Sequence, residues 1–80
     1  MSLIFRLIEI INGVYRYAYA LDEIELDGII EYRSGSKEII ITKPCKNDEG
    51  DEQGVEWSQK IFKSHIVNFN FPKMKTVCTG

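Results

Sequence analysis

His65 is the sole histidine of the 80-residue chain, so any imidazole-based triad or metal cluster must be assembled around it. Its neighbours do not form such a cluster. Ser64 precedes it and apolar residues stand three or four positions away, the setting of a helix histidine at the margin of a core. Cys45 and Cys78 are 33 positions apart and lack the short paired spacing of a zinc knuckle or a redox CxxC pair. A Cys-His dyad with either one has no support in spacing, and both read as reduced thiols of a cytoplasmic protein.

Asp22, Asp27 and Glu31 would place carboxylates at one end of a sheet, as acid-base chemistry on a sugar requires. With twelve acids in eighty residues such proximity is expected by chance, and so short a chain struggles to build a core and a water-excluding cleft together. The acidic run KNDEGDEQG, residues 46–54, invites a calcium reading. It fails on ligand order: counted from Asp48, the third position is Gly50 and the twelfth is Gln59. This run is expected to be a mobile acidic surface loop. The glycines fall in neither GxGxxG nor Walker spacing. No catalytic, metal or cofactor-binding set is assigned.

The pattern richest in chemistry is aromatic. In VYRYAYAL, residues 14–21, Tyr15, Tyr17 and Tyr19 fall on one face of a period-two strand, with Arg16 on the other and Arg33 expected close by. Three flat rings with cations beside them resemble a surface on which single-stranded nucleic acid stacks its bases. Charge argues against it: residues 1–52 hold six Lys/Arg against eleven Asp/Glu, residues 53–80 hold four against one, and the whole chain carries −2. Tyr15, Tyr17, Tyr19 and Arg16 are therefore read as contacts for a protein partner, with single-stranded nucleic acid as the alternative; burial of the row under the helix, hydroxyls at the rim, explains it equally well.

The elements that position these residues follow from local pattern. LDGIIEYRSGSKEIIITKP, residues 26–44, has two isoleucine-rich arms around Ser34-Gly35-Ser36-Lys37 and reads as a hairpin, with Gly35 expected to supply the positive φ of the turn. Ile30 and Tyr32 should face inward, and Pro44 ends the second arm. Leu3 to Ile11 is a further strand, apolar on both faces. Leu3, Phe5, Leu7 and Ile11 share one face with Glu9 as the exception, and Ile4, Ile8 and Ile10 flank Arg6 on the other. Asn12-Gly13 then joins it to the tyrosine strand through a type I′ turn.

At Val55 the period changes to that of a helix running to about Asn68, with Val55, Phe62, Ile66 and Phe69 on one stripe and Glu56, Gln59, Lys60 and Lys63 on the wet side. The alternation of Val67, Phe69 and Phe71 also fits a strand over 66–71. Lys73 to Thr79 reads as a last short strand. The expected fold is one α+β domain over residues 1–80, an antiparallel four-strand meander covered by one C-terminal helix and followed by a short strand, ββββαβ.

One helix about 10 Å wide covers only about two strands at 4.8 Å spacing, so apolar sheet surface should remain for a partner. Arg6 and Glu9 interrupt the apolar opening run, which therefore lacks the clean core of an export signal, and no stretch approaches the length of a membrane helix. The expected protein is a small cytoplasmic interaction or structural module without cofactor, a homodimer or the subunit of a protein complex.

Overall fold

The computed structural model describes residues 1–79. Five antiparallel strands, β1 (Ser2–Ile11), β2 (Val14–Leu21), β3 (Gly28–Arg33), β4 (Glu38–Lys43) and β5 (Met74–Cys78), form one sheet in the order β4-β3-β2-β1-β5. One helix, α1 (Glu52–His65), lies between β4 and β5 in sequence and covers one face of the sheet. The α+β ββββαβ arrangement read from the sequence is the one observed.

The first hairpin turns on Asn12 (φ 51°) and Gly13 (φ 77°), both left-handed as a type I′ turn demands. Ser34 at the end of β3 donates to the Gly13 carbonyl from its backbone N–H at 2.9 Å and from Oγ at 2.7 Å, so this turn is tied to the next strand. The second turn corrects the expectation for Gly35: the left-handed residue there is Lys37 (φ 59°). Gly28 is required for closeness. A Cβ at Gly28 would stand 2.4 Å from the Tyr19 ring and 2.7 Å from the Cys45 nitrogen, because Tyr19 lies opposite Gly28 in the β2·β3 register.

A β-bulge between Leu7 and Glu9 resolves the irregular pattern of β1. Leu7 pairs with Tyr17, but Glu9 pairs with Arg16, so the facing of every later residue is reversed. Glu9 thus joins Arg16 on the face away from α1. Ile11, opposite Val14, is on that face too and not with Leu3 and Phe5 as expected.

The helix begins earlier than its apolar stripe, at Glu52, because Asp51 caps it by accepting from the Gly54 N–H at 3.0 Å. It ends at His65, and Val67–Phe69 form a 3-10 turn, so neither a longer helix nor a strand occupies 66–71. Asn70 and Phe71 both take positive φ, and the Phe71 N–H returns to the Ile66 carbonyl at 2.9 Å. That reversal seats the Phe71 ring on Tyr15, centroids 3.8 Å apart.

Candidate functional site: two faces of one sheet

The tyrosine row belongs to the core. Tyr17 and Tyr19 have no exposed surface, packed with Leu3, Phe5, Ile30, Phe62 and Ile66 in the cluster between sheet and helix. The Phe62 ring meets Phe5 and Tyr17 edge-on at centroid distances of 5.5 and 5.3 Å. Tyr15 is half-buried under Phe71. As partner contacts Tyr17 and Tyr19 are therefore a correction: one helix together with the 66–72 segment hides more of the sheet than the width of a cylinder allows, and no open pair of rings is left on β2 for bases to stack on.

The phenol groups are satisfied inside. Tyr17 donates to the Pro72 carbonyl at 2.6 Å. Tyr19 donates to Asp48 Oδ2 at 2.8 Å and accepts from the Cys45 N–H at 3.1 Å. Burial, with Tyr15 as a smaller influence, pushes the Tyr17 phenol up to about 12, and burial also pushes Tyr19 up. The Cys45 thiol is pushed up by burial first and by the Asp48 charge second.

Residues 46–54 are mostly exposed, yet Asp48 is completely buried and corrects the reading of this run as a mobile loop. Its Oδ2 also accepts from Ser58 Oγ at 2.8 Å, so one carboxylate oxygen joins β2, the 46–48 turn and α1. Its Oδ1 has no partner and stands 2.8 Å from where a Cβ on Gly54 would be, which explains glycine in the first turn of the helix. Among the described residues no group of three or more His, Cys, Asp and Glu stands at metal-binding distance.

The remaining chemical residues of the sequence are dispersed. Asp22 accepts from the Ser2 N–H at 2.8 Å and Asp27 from the Lys46 N–H at 3.3 Å, each tying together segments distant in sequence, while Glu31 lies further along β3. His65 is half-buried with its ring edge-on to Phe69. Cys45 is buried and Cys78 exposed, and both are free.

Arg16 is in a different environment from the tyrosines it alternates with. On the face of the sheet opposite α1, its Nε donates to Glu31 at 2.8 Å and its Nη1 to Glu9 at 2.9 Å, and Arg33 reaches Glu31 at 3.4 Å. Glu31 and Glu9 raise the Arg16 guanidinium above its ordinary value, Glu31 through both hydrogen bond and charge. The four side chains line an open cleft of about 520 Å³ with Ile11, Asn12 and Val14. Two cations balance two carboxylates there, so the cleft has no net field to capture an anion.

Around this quartet the face is mixed, with Arg6, Glu38, Lys43 and Thr76 exposed on it beside apolar side chains. Ile4, Val14, Ile29 and Ile40 are half-buried, and Ile11 and Met74 are more than half exposed. Ala18, between Arg6 and Ile29 in register, is short enough to be buried. This face escaped the sequence reading because the bulge at Leu7/Glu9 hid the Glu9–Arg16–Glu31 row. The signal available was Glu9 itself, the one charge out of phase in β1. No helix is long and apolar enough to cross a membrane. Comparison of the chain with models of protein families, with curated proteins and with solved structures finds no match.

Proposed function

We propose that this small domain works in the cytoplasm by protein association, as a homodimer or as one subunit of a complex, and that its contact surface is the uncovered face of the sheet. One observation carries this reading. A five-stranded sheet has a helix on one side only, and the other side presents isoleucines, Val14 and Met74 around a paired charge cluster, with Arg6, Glu38 and Lys43 towards its margins. Partly exposed apolar side chains around charges that are already paired suit a contact surface more than a solvated sheet face. The two free thiols fit a reducing compartment.

The β4 and β5 edges are less suited to the task. Gln59 Nε2 donates to the Ile39 carbonyl at 3.1 Å and so occupies part of the β4 edge. β5 has five residues with Lys73 and Lys75 at its start, and short, lysine-bearing edges discourage strand addition.

The test is a charge placed on the face. Ile29→Lys should abolish association seen by sedimentation velocity or by capture of a partner, whereas Ile24→Lys, on a loop side chain that is 92% exposed, should leave it unchanged. A chain that is monomeric at millimolar concentration, and whose captured partners are the same with and without Ile29→Lys, would overturn the reading.

A further inference from the structure

Beyond the contact surface, and independently of it, we propose that the pocket between the β3–β4 turn and the C-terminal end of α1 binds a small phosphate monoester whose organic part is flat or apolar. Three segments distant in sequence build it: Tyr32, Lys37 and Ile39 around the turn, Lys63 in the last turn of α1, and Val67 and Asn68 in the 3-10 turn that follows. It encloses about 430 Å³, the size of a small-ligand site.

Its walls are held by bonds already made. Gln59 Nε2 donates to the Ile39 carbonyl at 3.1 Å and fastens α1 to β4. Ser34 fastens the turn to the Gly13 carbonyl, and the Phe71 N–H closes the 66–71 segment on the Ile66 carbonyl. A pocket formed in advance loses little to ordering when a ligand enters.

The lining is apolar below and cationic above. Tyr32, Ile39 and Val67 are half-buried, whereas Lys37 and Lys63 are exposed and have no ion pair among the described residues. None of the lining residues is a carboxylate. Glu38, next to Lys37 in sequence, stands opposite Arg33 and so belongs to the other face of the sheet. Where the groove continues along α1, Glu56 comes about two turns before Lys63. The pocket therefore has the uncompensated positive charge that the Arg16–Glu31 cleft lacks.

The type of cation narrows the type of anion. Arg16 and Arg33, planar forks, are engaged with carboxylates on the open face. The pocket has lysines alone, compact charges suited to a phosphate dianion set between them. Tyr17 and Tyr19 use their hydroxyls inside the core, while Tyr32 and Asn68 line the pocket and supply neutral donors.

Lys37 carries most of the argument. A cation such as Lys63 is favoured in the last turn of any helix, but Lys37 has φ 59°, a left-handed conformation that costs a residue with a Cβ and that glycine adopts freely. A lysine at a position cheaper for glycine is accounted for by a task for its ammonium group.

The test is a titration of the full chain, labelled with nitrogen-15, with phenyl phosphate. Amide shifts should concentrate at Lys37, Ile39, Lys63 and Val67, with a dissociation constant on the order of a millimolar for so small a probe. Inorganic phosphate, which lacks the ring, and benzoate, which lacks the second charge, should bind more weakly. Lys63→Gln and Lys37→Gly should each weaken phenyl phosphate about tenfold. Lys37→Gly should do so with a melting temperature no lower than before, which separates lost binding from lost folding. Ile29→Lys should leave binding unchanged, which separates the pocket from the contact surface. Shifts centred on Lys73 and Lys75, shifts that neither lysine substitution moves, benzoate or inorganic phosphate binding as tightly as phenyl phosphate, or no shifts at about ten times that concentration would each overturn the proposal.

Discussion

β2 contributes alternate residues to two environments that differ in almost every respect. Towards α1 it presents Tyr17 and Tyr19, fully buried, each hydroxyl held by a distant segment: Pro72 for one, Asp48 and Cys45 for the other. Away from α1 it presents Arg16 and Ala18, whose partners are the adjacent strands alone. The covered face is fixed by long-range packing, so changes there should act on stability. The open face is fixed by cross-strand pairs already present in the sheet, so changes there should act on what the sheet meets. Stability and association are thereby separable on one strand.

The largest effect that would break this contrast is at the centre of the covered face. Phe62→Ala empties the space between Phe5 and Tyr17 and should cost about 4 kcal/mol in denaturant titration. A loss comparable to that of a surface change would mean the helix is not what fixes that face. Asp48→Ala comes next. It strands the Tyr19 and Ser58 hydroxyls without their acceptor and should cost about 3 kcal/mol by the same measurement.

Alkaline pH probes the covered face differently. The Tyr17 phenol is pushed up to about 12 in the folded chain, against about 10 when unfolded. Above about pH 10 the unfolded chain releases this proton and the folded chain does not. The associated stability is therefore complete below about pH 10 and is lost as pH rises towards about 12. The melting temperature should fall across this window, and Tyr17→Phe should make the fall shallower. The smallest stability effect belongs to the open face: Ile29→Lys should shift stability by less than about 1 kcal/mol while removing association. A large loss of stability there would erase the distinction between the faces.

The sequence exposed the local devices of the fold more readily than its long-range ones. Asn12-Gly13, the period-two run of β2 and the helical stripe through Phe62 each declare themselves within a few residues, and all three are found. Burial under the helix was one of two readings the tyrosine row allowed, and the pattern did not choose between them; the cover over Tyr15 was not legible at all, since it depends on Phe71 folding back through two left-handed residues that no periodicity marks. Asp48 was hidden for a similar reason. Its neighbours are solvated acids, and only the approach of Tyr19, 29 positions earlier, and of Ser58, ten later, makes it a buried acceptor. The open face was lost to a single inserted residue in β1, because a period-two pattern carries no memory of which side it started on once a bulge intervenes.

The placement of β1 has a bearing on how the chain reaches this state. β1 is flanked by β2, its immediate neighbour in sequence, and by β5, which pairs Cys78 with Ser2 across nearly the whole described chain. Closing so long a loop is slow relative to forming the hairpins. Until it closes, Ser2 to Arg6, with Ile4 among them, offer an unpaired edge to any other strand in reach. The refolding yield should accordingly depend on dilution, with the interval before β5 docks as the time when intermolecular pairing competes.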